Sequence, residues 1–324
     1  MQVITGMTLQ KNERLLQMDI TTSHKVLILG GSGFVGSHVC ERLNELGIKM
    51  TVLTRRLPAK SVQYLPYVDI VQGDPLKPET LKRVMQGHTA VINLIAILHG
   101  TKSDFELLHE RLPSTIANAC AEVKIKRLIH VSALGANQSA PSMYLRSKAR
   151  GEQALHSAAK TGGLDLTIIR PSVIFGLDDQ FINVFAKLQK VFPFIPLACA
   201  EARFQPVWVV DVAHAIAHAL VHPQTANHTY ELGGPQVLNL KQLVQFAGKW
   251  SHHNRPIFPL PPISSYLQAL VMEHLPGPTL MSRDNLLSMR VDNVLSGNMP
   301  GLKDLGILQA QTLNGVFAVS EEKK

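Results

Sequence analysis

The sequence predicts an α/β fold, a doubly wound parallel sheet with a smaller mixed α/β C-terminal region. Three observations carry that expectation. From Lys25 onward, short apolar β-rich runs alternate with helix-length segments, the pattern of a parallel sheet covered on both faces. The first run feeds directly into a glycine-rich stretch that opens a helix. The chain has 324 residues, 45% of them hydrophobic and 17% charged, a globular composition with about a hundred residues more than one such sheet requires.

Taken in order, residues 25–29 (KVLIL) read as the first strand, 34–46 as a helix and 49–54 (KMTVLT) as the second strand. Further strands are expected at 68–72 (VDIVQ), 90–96 (AVINLIA), 127–132 (RLIHVS) and 166–170 (LTIIR), with helices near 78–86, 103–122, 142–161 and 178–190. Beyond Arg170 prolines multiply and the alternation weakens. Helices are expected there at 211–221 and 239–250, with Asp211 and Asn239 as N-caps, and an amphipathic one at 263–275. The chain therefore divides into an N-terminal extension (1–23), a first domain (24–175) and a second region (176–324) interleaved with it.

The 32 Lys and Arg exceed the 24 Asp and Glu by eight, a balance that admits anionic ligands, nucleic acid or an acidic membrane surface. Cys40, Cys120 and Cys199 are odd in number, far apart and outside any CxxC, so neither a disulfide framework nor a thiolate metal site is expected. A reducing, cytoplasmic setting follows. No apolar run is long enough for a spanning helix, and the first 24 residues hold no apolar stretch of the secretory kind.

The stretch Gly30-Gly31-Ser32-Gly33-Phe34-Val35-Gly36 sits between strand and helix, where a glycine spacing becomes a dinucleotide-binding signal. Gly30 permits the tight turn, Gly33 lets the backbone approach a pyrophosphate, and Gly36 lets helix pack closely on strand. The helix N-terminus adds free N–H groups and partial positive charge. The second strand ends in Thr54-Arg55-Arg56, where an NAD-selective site places an acid for the ribose 2′-hydroxyl. Two guanidiniums instead suit a 2′-phosphate, so NADP(H) is favoured over NAD(H).

Together with Gly73-Asp74, Tyr144-xxx-Lys148, Arg170-Pro171-Ser172 and Val207-x-Val209-x-Asp211-Val212-Ala213, these residues resemble the extended short-chain dehydrogenase/reductase superfamily, the NAD-dependent epimerase/dehydratase-like proteins, from about Lys25 to Pro235. The run VSALGA (Val131 to Ala136) and the tail LPGPTLMSRDNLLSMRVDNV resemble an atypical branch that includes the accessory NAD(P)H-binding subunit of respiratory complex I and its bacterial relatives. The resemblance implies a Rossmann-like first domain. It makes Tyr144 the general acid/base for hydride transfer and Lys148, one turn on, the group that lowers the phenol pKa and holds the nicotinamide ribose. It further implies Asp74 at the adenine amino group, Leu94, Ile95 and Ala96 along adenine and ribose, and Pro171 and Ser172 beside the nicotinamide amide.

Departures from the pattern bear on turnover. Ser132 falls two positions before the hydroxyl that polarises the substrate oxygen in typical members, and Leu134 occupies that place. Ser139 and Ser142 lie near, the latter as a ready N-cap. Only 12 residues separate Ser132 from Tyr144, so the longer substrate-facing excursion of many epimerases is missing.

Other clusters of titratable and apolar residues accompany these motifs. His214, His218 and His222 recur at helical spacing without a third ligand type, and the exposed-helix reading outweighs metal binding. Lys124, Lys126, Arg127, Arg146, Lys148 and Arg150 form a basic group without an aromatic platform, read as solvated surface or as a field that attracts a phosphorylated cofactor, rather than a nucleic-acid site. The apolar, Pro-rich stretch 256–281 has three readings: core packing, a cover over an apolar substrate, or a surface for a membrane or membrane complex at its inner face. Two functions stand side by side. One is an NADP(H)-dependent oxidoreductase acting on an apolar carbonyl or quinone-like substrate. The other is a non-catalytic NADP(H)-binding protein, structural or redox-sensing, associated with a respiratory or membrane complex.

Overall fold

The computed structural model describes residues 24–275 and 279–321; the extension expected over 1–23 lies outside the described residues. Seven strands form one sheet: β1 (Lys25–Leu29), β2 (Lys49–Thr54), β3 (Val68–Gln72), β4 (Ala90–Asn93), β5 (Arg127–Val131), β6 (Asp165–Pro171) and β11 (His228–Leu232). Their order is β11-β6-β5-β4-β1-β2-β3 and every pairing is parallel. This is the doubly wound, Rossmann-like α/β architecture that the sequence predicts.

Alternation within the strands fills two layers. Val26 and Ile28 of β1 face α1 (Phe34–Glu45) and α7 (Val209–Val221), packing with Val39, Leu43, Val212 and Ile216. Leu27 and Leu29 face α2 (Pro78–Met85), α4 (Leu112–Glu122) and α5 (Met143–Gly162), packing with Leu81, Met85, Ile116 and Leu155. Cys40 and Cys120 are buried free thiols, one in each layer, and burial pushes both up to about 12.

The expected boundary at residue 175 is crossed by the chain. After β7 (Ile174–Phe175) it builds a second core from α6 (Ile182–Val191), β8 (Ile195–Leu197), α8 (Leu240–Trp250) and α11 (Leu313–Glu321) around Leu243, Val244 and Phe317. Between these pieces it returns to the first core with α7 and β11. The short strands β9 (Arg203–Phe204), β10 (Val207–Trp208), β12 (Leu238–Asn239) and β13 (Ile257–Pro259) pair two by two, with β7 and β8 as the other partners.

Four expected elements differ, each for a local reason. β4 ends at Asn93, not residue 96, because the Asn93 side chain accepts the Ile95 N–H at 3.2 Å and turns the chain. The helix expected from 178 starts at Ile182, since the Asp179 carboxylate takes the N–H groups of Gly176, Phe181 and Asn183. Asp211 is not an N-cap: α7 begins at Val209, and Asp211 accepts the Gln311 N–H at 2.9 Å instead. The single helix expected over 103–122 is α3 (Lys102–Phe105), a π-helical stretch at Glu106–Arg111, then α4. Pro113 has no N–H for the His109 carbonyl, and the Leu112 N–H reaches back five residues to Leu107. The caps at Ser142 and Asn239 form as expected.

Candidate functional site

The glycine loop lies where the strand order reverses between β1 and β4, at the carboxyl ends of the strands. Gly30 has φ +85°, and a Cβ on Gly36 would stand 2.2 Å from the Gly30 carbonyl oxygen. A Cβ on Gly30 would meet the Leu94–Ile95 backbone at 3.2 Å, so the loop after β4 runs directly alongside. Ser32 and Gly33 are exposed, and Phe34, Val35 and Gly36 open α1 without any side-chain cap or first-turn acid. The positive end of α1 therefore remains open to an anion. These residues fit a dinucleotide pyrophosphate.

Around this loop the other expected contacts are placed unequally. Arg55 and Arg56 are exposed at the end of β2, and neither guanidinium has a side-chain partner among the described residues. Asp74 accepts the Leu76 N–H at 3.0 Å and so shapes its own turn. Leu94 and Ile95 are half-buried and Ala96 is exposed. Pro171 accepts the Leu134 N–H at 2.9 Å, which continues the β6 edge past β5.

Helix α5 carries Tyr144 and Lys148, and its N-terminus is closed rather than open. Ser142 accepts the Leu145 N–H, while Asp284 from α10 (Arg283–Ser288) accepts the N–H groups of Met143 and Tyr144 at 2.6 and 3.0 Å. Lys148 is buried and donates from Nζ to the Val131 carbonyl at 2.8 Å, directly before Ser132. Burial lowers the Lys148 pKa to about 8 against the pull of Glu152. Tyr144 packs edge-on against His109 and Phe105, and burial pushes the phenol up to about 12. No lowering by Lys148, whose ammonium is directed to a strand carbonyl, accompanies that rise. The Ser132 hydroxyl is buried with no hydrogen-bond partner among the described residues, while Leu134 is buried in the apolar wall.

Sequence reasoning missed the groups that hold these elements together. His109, on the π-helical stretch, accepts the Ile97 N–H at Nε2 (3.1 Å), which leaves Nδ1 to donate to the Ser147 hydroxyl at 2.9 Å. Ser147 in turn donates to the Tyr144 carbonyl at 2.8 Å. Burial and then Lys148 lower the His109 pKa to about 3, so the ring is neutral. His130 beneath it is held by Asn93 at 3.0 Å and is also driven well below its ordinary value by burial. Asn293 accepts from the Ser172 hydroxyl at 2.6 Å and from the Val173 N–H at 2.9 Å. Ser172 is thereby turned toward the tail. The signal was present, since Asp284 and Asn293 both lie in the tail that carries the family resemblance, but no spacing rule marks them.

The basic cluster is not all surface. Arg127 and Lys148 are not solvated surface: Arg127 is buried and donates to Asp165, Thr167, Ala219 and Thr225, bracing the β5, β6 and α7 edge. His218 and His222 stack on one another at 3.7 Å, and no group of three metal-ligating side chains occurs among the described residues. A pocket of about 300 Å³ lies beside these histidines at the far end of α1 from the glycine loop.

Comparison with known proteins decides the assignment. The model of the NAD dependent epimerase/dehydratase family matches residues 26–233. The chain belongs to that family. An NAD-type dinucleotide is the family's cofactor, in agreement with the open N-terminus of α1. Among curated relatives, the chain is 29% identical over 288 residues to the mitochondrial NADH dehydrogenase [ubiquinone] 1 alpha subcomplex subunit 9 of Rattus norvegicus, covering 86% of this chain and 75% of that one. It is 29% identical over 189 residues to a ceramide reductase of Caulobacter vibrioides, 58% of each chain. Among solved structures, the UDP-glucose 4-epimerase of Thermus thermophilus in complex with NAD superposes with a TM-score of 0.65 at 20% identity, covering 82% of this chain and 100% of that one. This last likeness is one of fold.

Proposed function

We propose that the protein is an NADP(H)-binding reductase of this family, acting on an apolar carbonyl or quinone-like substrate. The observation that carries the reading is the buried, unpartnered Ser132 hydroxyl directly after the Val131 carbonyl held by Lys148, at the carboxyl end of β5, the strand next to β4. Bound NADPH would supply the hydride. Tyr144, protonated through neutral pH because burial raises its pKa, gives its phenolic proton to the substrate oxygen as charge develops there. The phenolate left behind takes a proton back from solvent, and Lys148, one turn on along the same helix, would orient the cofactor ribose. Arg55 and Arg56, free of other partners, take the 2′-phosphate.

A second reading has its own observation. Leu134 fills the place of the substrate-polarising hydroxyl and is buried, which supports a protein that binds NADP(H) structurally or as a redox sensor. Kinship to a subunit of mitochondrial NADH dehydrogenase supports peripheral association with a membrane or respiratory complex, on the cytoplasmic side in a bacterial cell. No helix among the described residues is long and apolar enough to cross a membrane.

The readings separate in two measurements. Fluorescence titration of wild type and Arg55→Ala with NADPH and NADH is expected to show tighter NADPH binding that Arg55→Ala erodes; equal affinities end the NADP(H) assignment. NADPH oxidation with short-chain quinones, lost in Tyr144→Phe at unchanged NADPH affinity, supports the reductase. Turnover unaffected by Tyr144→Phe overturns the role given to the phenol.

A further inference from the structure

Helix α9 (Pro262–His274) is built the wrong way round for a helix whose apolar residues are to be buried. It turns the small residues Ser265 and Ala269 inward and leaves Ile263, Leu267 and Val271 78%, 54% and 60% exposed. These three recur at four-residue spacing and form one stripe, which Tyr266 and Leu275 widen. The stripe does not stand alone. Gln268 donates to the Pro196 carbonyl, which fastens α9 to β8; β8 pairs with β13; and Phe194 and Phe258, both half exposed, meet edge to face at 5.8 Å. Arg255, two residues before β13, donates to the Gln189 carbonyl and so ties that strand to the exposed end of α6, Val191 and Phe192. Side chains of this size are seldom left together in water without an occupant.

Charge identifies the occupant. Between Asp179 and Glu201, and again between Glu231 and Glu273, the chain contains no Asp or Glu, but it carries Lys187, Lys190, Lys241, Lys249 and Arg255. Lys187 lies one turn before Val191 on α6, and both are exposed. Glu273, the acid at the edge of α9, is neutralised by Arg283 at 2.8 Å. Protruding aliphatic and aromatic side chains, on segments whose formal charges are cationic apart from the Arg283-paired Glu273, match an anionic lipid interface, in which the apolar groups enter the headgroup boundary and the lysines meet phosphates.

We propose that this face, α9 with the β8–β13 edge and the end of α6, seats the protein on an anionic lipid bilayer. The inference deepens the association reading above and is independent of the reductase reading. It also places lipid one element from the catalytic helix, since Arg283 on the α9 side adjoins Asp284, the cap of Tyr144.

The test is flotation of the full chain with protein-free vesicles of phosphatidylcholine alone or mixed with phosphatidylglycerol. Binding is expected on the mixed vesicles and to fall as salt rises. Lys187→Gln/Lys190→Gln should weaken it about thirty-fold, one decade or so per 1.4 kcal/mol at about 1 kcal/mol per lysine. Ile263→Ser/Leu267→Ser/Val271→Ser should abolish it, and NADPH titration of the same samples reports folding and the cofactor site separately. The proposal is overturned if wild type ignores anionic vesicles, if the triple variant floats as wild type does, or if the face proves to join two copies, seen as a dimer that the triple variant dissolves.

Discussion

Asp284 accepts hydrogen bonds from the backbone N–H groups of Met143 and Tyr144 at 2.6 and 3.0 Å, so a residue from the C-terminal tail caps the helix that carries Tyr144 and Lys148. With Ser142 on Leu145, the first turn of α5 is satisfied entirely by side chains. The first turn of α1 has none. One helix end is closed and fixed in place; the other is left for an anion. The difference suits an anion-binding loop on α1 beside a helix, α5, that is held in place.

Removing that cap leaves two N–H groups near the site without acceptors. Asp284→Ala is expected to cost about 2–3 kcal/mol of stability and to loosen Tyr144. Asp284→Asn keeps an acceptor oxygen and should recover at least half of the loss. Urea midpoints of the three proteins check this, and indistinguishable midpoints for wild type and Asp284→Ala would falsify the bracing role.

Gly36 offers a sharper test of the loop. A Cβ there would stand 2.2 Å from the Gly30 carbonyl oxygen and 2.6 Å from Gly31 Cα, both backbone atoms that cannot swing aside. Gly36→Ala should therefore shift the loop, cost about 1–3 kcal/mol and reduce NADPH affinity by at least tenfold. Gly33→Ala, whose nearest contact is 3.3 Å, should disturb folding less. Equal affinities in wild type and Gly36→Ala would contradict the loop's assignment.

Much of the first domain was legible because its signals are local. KVLIL, the glycine spacing and KMTVLT each announce one element and lie next to one another. Strand β11 (HTYEL) escaped, since a short half-polar run far down the chain reveals its neighbour only when β6 is in place. The same holds at the site. Tyr144 and Lys148 share a helix face and could be read from spacing, whereas His109, Asp284 and Asn293 act across 38, 140 and 121 residues of chain. The exposed stripe of α9 was visible as amphipathicity, but which face turned outward depends on how Ser265 and Ala269 pack.

Arg170 on β6 and the buried Glu152 on α5 form a two-pronged ion pair that locks α5 to the sheet. Removing one charge strands the other in a dry setting. Glu152→Ala is expected to destabilise by about 3–5 kcal/mol, whereas the double variant Glu152→Met/Arg170→Met should be less damaged than Glu152→Ala. Thermal unfolding of the set gives the answer, and a double variant worse than the single one would argue against a desolvated pair.

His109 predicts the response to acid. Its folded pKa is about 3, against an ordinary value of 6.5, through burial and the nearby Lys148. Between those values the unfolded chain binds a proton that the folded chain refuses, so stability falls as pH drops through that window. From pH 7 to pH 5 this one ring accounts for about 2 kcal/mol, and His130, lowered in the same direction, adds to the trend. His109→Gln keeps an acceptor for the Ile97 N–H but cannot titrate. It should be less stable than wild type at pH 7, yet lose about 2 kcal/mol less on going to pH 5. Denaturant midpoints at the two pH values measure both quantities, and parallel losses in the two proteins would mean that His109 takes up its proton in the folded state.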